Sequence, residues 1–91
     1  MDSAKLVDKA LEMAEERRKL APSFHLFGSI VAQLQYLRDV LAKVELDRSK
    51  LKDIIVGHYA VREFEETDPE FSEVLKKAQY VASTAARGLK I

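Results

Sequence analysis

A chain of 91 residues is long enough for one domain and too short for two. Its 15 basic and 15 acidic residues cancel, which removes the cationic excess of a general nucleic-acid binder. There is no cysteine, so neither a disulfide framework nor a thiolate metal site is available.

Apolar residues make up 47% of the chain, yet no apolar run is long enough to span a membrane. The opening MDSAKLVDKALEMAEE is acidic and amphipathic, unlike a secretory signal, so the expected location is cytoplasmic. A first helix is expected over 3–21. Leu6, Val7, Ala10, Met13, Ala14 and Leu20 fall near helical spacing, and Arg17, Arg18 and Lys19 suit the negative end of the helix dipole. Pro22 ends it. Ser23 is placed to cap a second helix over 24–45, whose buried stripe is Phe27, Ile30, Val31, Leu34, Leu37, Leu41 and Val44. Gly28 is read as allowing close helix packing. A short link at Glu45-Leu46 predicts an antiparallel neighbour.

Asp47 is expected to cap a third helix, which stops at Asp68-Pro69-Glu70. Its apolar residues fall on two sides, Leu51, Ile54, Ile55 and His58 on one and Gly57, Ala60, Val61 and Phe64 on the other. That pattern predicts a helix covered by neighbours twice over, at the centre of the fold. A fourth helix over 69–88 carries Phe71, Val74, Leu75, Ala78, Val81, Ala82, Ala85 and Leu89 in a regular stripe. Gly88 is its expected stop, with Leu89 folding back on the last turn. No strand signal longer than four residues occurs. The reading is a single all-α domain over 1–91, a compact bundle of four antiparallel helices with no sheet.

Catalytic patterns are sparse. His25 and His58 lie on different helices, without the HExxH or Glu-x-x-His spacing of metal sites. His58 sits on an apolar side and is read as a buried, hydrogen-bonded core residue; its use with Glu65 or Glu66 in a small enzyme is the competing possibility. Glu63, Glu65, Glu66, Asp68, Glu70 and Glu73 cluster at the junction of the last two helices, but acid–base work needs a concave site that nothing here specifies. No phosphate-cradling glycine loop and no activated nucleophile appear, and no cofactor is implied.

The tyrosines point elsewhere. Tyr36 lies in an outer stripe with Ser29, Gln33, Val40 and Lys43; Tyr59 lies in another with Lys52, Val56, Glu63 and Glu66; Tyr80 lies in a third. Aromatic anchors flanked by charge are the usual make-up of a protein interface. The alternative for each is a ring laid on the core rim with its hydroxyl in water. The candidate partner-binding residues are therefore Tyr36, Val56, Tyr59, Glu63 and Glu66, serving either a protein partner or self-association as a homodimeric adaptor.

Specific strings extend this. QLQYL (33–37), DRSKL (47–51), GHYAVREFEETDPEF (57–71), AQYVA (78–82) and GLKI (88–91) occur in this order and spacing. Together the chain resembles the bacterial immunity-protein family that neutralises a type VI secretion effector, an NAD(P)+ glycohydrolase toxin. The block from Gly57 to Glu70 is the specific part. The resemblance implies a cytoplasmic, all-helical, non-enzymatic protein. Its partner would be the toxin domain of a cognate effector, whose active site it obstructs. No contact residue is carried over from the family.

Overall fold

The first helix begins where its free amides find a partner. The Asp2 carboxylate accepts the Ala4 N–H at 2.9 Å and starts α1, Ser3–Leu20. A computed structural model describes residues 2–88. Leu6, Val7, Ala10, Leu11, Met13 and Ala14 are the buried face of α1. Leu20 is not part of it. It is 85% exposed, on the outer side of the last turn with Arg18 and Lys19, while Arg17 of the same turn faces the body.

The second helix, α2, is His25–Leu41, shorter than expected at both ends. Ser23 does not cap it. Phe24 holds the cap position without a side-chain bond, and its ring packs edge-on against Phe27, 5.1 Å between centroids. Aromatic packing thus fixes the start. At the other end Lys43 turns left-handed, with φ of 61°. Its N–H reaches the Val40 carbonyl at 3.1 Å, and the Val44 N–H reaches that of Asp39 at 2.9 Å. These paired bonds are the Schellman termination normally built on glycine. The helix therefore stops short of the expected 45, and Val44 is exposed rather than part of the stripe.

The third helix departs furthest from expectation. Residues 42–50 form no helix, and Asp47 caps nothing. Its carboxylate instead accepts the Ser49 N–H at 3.0 Å, a local turn that holds the carboxyl below its ordinary range. One 3₁₀ turn comes next at Leu51–Asp53, then a short α3 at Val56–Tyr59 that widens into a π turn at Ala60–Phe64. Val56, Ala60 and Phe64 recur every four residues, and a turn wider than the α-helical one keeps all three on the buried side. The buried Ser72 hydroxyl donates to the Ala60 carbonyl at 3.0 Å inside this widened turn.

Pro69 opens the last helix, α4, Pro69–Ala86, as a residue with no amide to lose. Every predicted member of its stripe from Phe71 to Ala85 is buried. Gly88 takes φ of +74° just past its end. Leu89 lies outside the described residues.

The phenylalanines set the arrangement. Phe27 stacks on Phe64 at 5.6 Å, and Phe64 meets Phe71 edge-on at 5.1 Å. Arg17 lies over Phe71 at 4.8 Å and its Nε donates to Asp68 at 2.6 Å. One end of the molecule therefore gathers the end of α1, the start of α2, the end of the π turn and the start of α4. That is an up-down-up-down bundle, all-α, with no strand among the described residues.

Both helix ends can be tested through stability. Lys43→Gly relieves a left-handed lysine and should raise stability by about 0.5–1 kcal/mol in urea melts. The Arg17 hydrogen bond holds the Asp68 carboxyl below its ordinary 3.8, against an opposing push from partial burial. A carboxyl depressed on folding contributes stability that is fully present above that ordinary value and is lost as pH falls through the depressed one. Urea melts from about pH 6 to about pH 2 should show a part of the acid destabilisation, on the order of 1 kcal/mol, that is absent in Asp68→Asn.

Candidate functional site

Ile54 and Ile55 lie outside helix and Gly57 stands in the first turn of α3, so their backbone groups need partners from elsewhere. Two glutamines supply them. From α2, the Gln33 Oε1 accepts the Ile55 N–H at 2.7 Å. From α4, the Gln79 Oε1 accepts the Gly57 N–H at 3.0 Å and its Nε2 donates to the Ile54 carbonyl at 2.8 Å. The contact with α4 requires glycine. A Cβ on Gly57 would stand 2.8 Å from both Cβ and Cγ of Gln79.

This break decides what faces out. Ile54 and Val56 are buried, while Ile55 between them is 43% exposed. Val61 is 58% exposed, and His58 and Arg62 are exposed beside it. Gly57, His58, Val61 and Arg62 line a shallow apolar hollow. Val61 and Arg62 also border a second, polar hollow with Glu63, Glu65, Glu66 and Thr67. An apolar ridge and an acidic rim are thus continuous. Arg62 bridges them, 5.8 Å above the Tyr59 ring and 3.1 Å from the Glu63 carboxylate. Lys76 of α4 lies 3.7 Å from Glu65, whereas Glu66 makes no ion pair among the described residues.

The candidate residues separate accordingly. Tyr59, Glu63 and Glu66 come together on this face, Tyr59 half-buried against the core. Val56 does not join them. It is fully buried, because it opens α3 on the same face that Ala60 and Phe64 turn to the core, and this corrects the exposed position expected for it. Val40 is buried as well, as a member of the α2 stripe, so neither Tyr36 nor Tyr59 has beside it the exposed valine that its stripe predicts. Tyr36 lines a separate hollow with Gln33, Lys50 and Ile54. Its hydroxyl donates to the Asp47 carbonyl at 2.6 Å and accepts the Lys50 N–H at 3.2 Å, so it fastens the 42–50 segment. His58 is not a core residue. It is exposed among apolar neighbours rather than paired with Glu65 or Glu66. Ile55 and Val61 face outward, against the inward positions that helical spacing predicts. Gln33 and Gln79 carry no signal in the sequence, since polar residues on helix sides are ordinary.

No group of three or more His, Asp and Glu able to hold a metal occurs among the described residues, and no described helix is long and apolar enough to cross a membrane. A small helical body that displays a fixed apolar ridge with a charged border is built as a binding module. The chain belongs to the Tsi6 family, whose model matches residues 2–84. The immune protein Tsi6 of Pseudomonas aeruginosa is 43% identical over 91 residues, 100% of this chain and 97% of that protein. The solved structure of Tse6 in complex with Tsi6 matches at a TM-score of 0.93 and 43% identity, covering 99% of this chain and 96% of that one. The structure of Tsi6 from P. aeruginosa matches at a TM-score of 0.84 and 43% identity, covering 90% of this chain and 95% of that one.

The Gly57–Gln79 contact carries a direct test. Gly57→Ala must push α4 away or break the clamp, and should destabilise the protein by about 1–3 kcal/mol in chemical denaturation.

Proposed function

We propose that this chain is an immunity protein that binds the toxin domain of a cognate type VI secretion effector, an NAD(P)+ glycohydrolase, and obstructs its active site in the producing cell's cytoplasm. The observation that carries this reading is kinship along the whole chain with an immune protein, together with the likeness to a relative solved in complex with Tse6. The protein acts by occupancy and not by turnover, and needs no cofactor. Its docking face is α3 with the π turn. Ile55, Val61 and Tyr59 supply apolar contact, and Glu63 and Glu66 supply charge. Interfaces draw most of their energy from a few such central anchors, with the rim governing approach. Tyr36 and Val56 act from behind, one fastening the preceding segment and the other seating the helix in the core.

Cells expressing the toxin domain encoded beside this chain should grow only when this protein is co-expressed, and the two should co-purify as a complex. Growth restored without a complex excludes direct inhibition. Reversing Glu63 and Glu66 to Lys should slow association about tenfold at low salt and flatten its salt dependence, as rim charges do.

A further inference from the structure

Gln33 and Gln79 sit outside the docking face, on two different helices, yet both end on the same short stretch of backbone. Each amide has its orientation fixed. The Gln33 Nε2 donates to Ser29 Oγ at 3.1 Å, which turns its oxygen toward the Ile55 N–H. Gln79 uses oxygen and nitrogen on opposite sides of the break, at Gly57 and at Ile54. The residues so held alternate in and out, Ile54 buried, Ile55 exposed, Val56 buried, immediately before the apolar surface of Gly57, His58 and Val61. Nothing in local propensity maintains that alternation. A chain released here would gain by extending α3 backwards, which would swing Ile55 to a different face.

We propose that Gln33 and Gln79 are positioning residues for toxin recognition, holding the Ile54–Gly57 break so that the α3 face is preformed before the toxin arrives. The inference rests on the assignment of α3 as the docking face. It predicts a binding surface already in its bound shape. A protein whose competent form is only fractionally populated binds more weakly by that fraction, so loosening the clamp lowers affinity without removing a contact.

Hydrogen exchange of the free protein and association kinetics with the toxin domain encoded beside this chain test it together. In the wild type the Ile55 and Gly57 amides should exchange at least roughly tenfold slower than the Leu46 and Arg48 amides of the loop, which donate to no described group. Gln33→Met should release the Ile55 amide and Gln79→Met the Gly57 amide, each slowing toxin association about tenfold while thermal unfolding stays cooperative. Gln79→Glu keeps the acceptor for Gly57 and loses the donor for Ile54, and should fall between. Wild-type amides that exchange as fast as the open loop overturn the inference without any variant, even if Gln79→Met fails to fold. So does wild-type association by both Met variants after their amides are released. Val61→Asp separates the two levels. If it abolishes binding while the Met variants bind normally, only the positioning role is wrong; if it leaves binding intact, the docking face itself is misassigned.

Discussion

A polypeptide that leaves the helix inside a folded protein must find new partners for the amides and carbonyls it exposes. In this chain Tyr36 meets part of that requirement for the 42–50 segment, and between Ile54 and Gly57 it is met by side chains reaching in from both flanking helices. Hydrogen bonds of this partly exposed kind contribute about 0.5–1.5 kcal/mol each, and three together are a noticeable share of the stability of a domain this size. The clamp therefore constrains sequence on three elements together: an amide side chain on α2, another on α4, and no side chain at all on Gly57. The residues beyond Gly57 inherit their register from this point. Val56, Ala60 and Phe64 face the core only because α3 starts where it does and then widens.

The phenylalanine end of the bundle is held by different physics. Phe24, Phe27, Phe64 and Phe71 are all the phenylalanines in the chain, and they form one connected set of ring contacts. Burying such a ring is worth roughly 1.5–3 kcal/mol, against at most about 1 kcal/mol for a partly exposed ion pair. Arg17 and Asp68 therefore orient the junction of α1 and α4 more than they stabilise it. Arg17 serves three ends at once, lying over Phe71, donating to Asp68, and donating to the Met13 carbonyl at 3.2 Å. Its planar fork suits that combination in a way a lysine would not.

The first, second and fourth helices are legible in the sequence because their apolar spacing, proline and charge agree on one period. The third is not. Asp47 before a run of mixed residues looks like a helix cap, but the same carboxylate serves a tight turn equally well, and the neighbouring Lys43 ends α2 in a conformation that only glycine advertises. The two apolar sides of an apparent long helix are the trace of two shorter pieces in different registers. The spacing of four at Val56, Ala60 and Phe64 is the one sequence signal that could identify the wider turn. The glutamines cannot be found that way, because their role depends on what lies opposite them across space. Of the candidate site, helical spacing alone places Tyr59, Glu63 and Glu66 together, since they fall within two turns of each other, while Val56, at the first position of α3, turns to the core with Ala60 and Phe64.

Local conflict between pattern and structure tends to concentrate where a protein does its work. Here the region that defies simple helical periodicity is also the region that exposes apolar side chains, and the two facts share a cause. A straight amphipathic third helix would bury its apolar residues along one stripe and leave a polar outer face, which suits solubility and nothing else. Interrupting it and widening it turns Ile55 and Val61 outward while the core keeps Ile54, Val56, Ala60 and Phe64. An inhibitor that works by filling another molecule's cleft benefits from such a ridge only if the ridge is rigid, since ordering a loose segment on contact subtracts directly from affinity. Anchoring the irregular backbone on two helices, through Gln33 and Gln79, works toward that condition with hydrogen bonds alone.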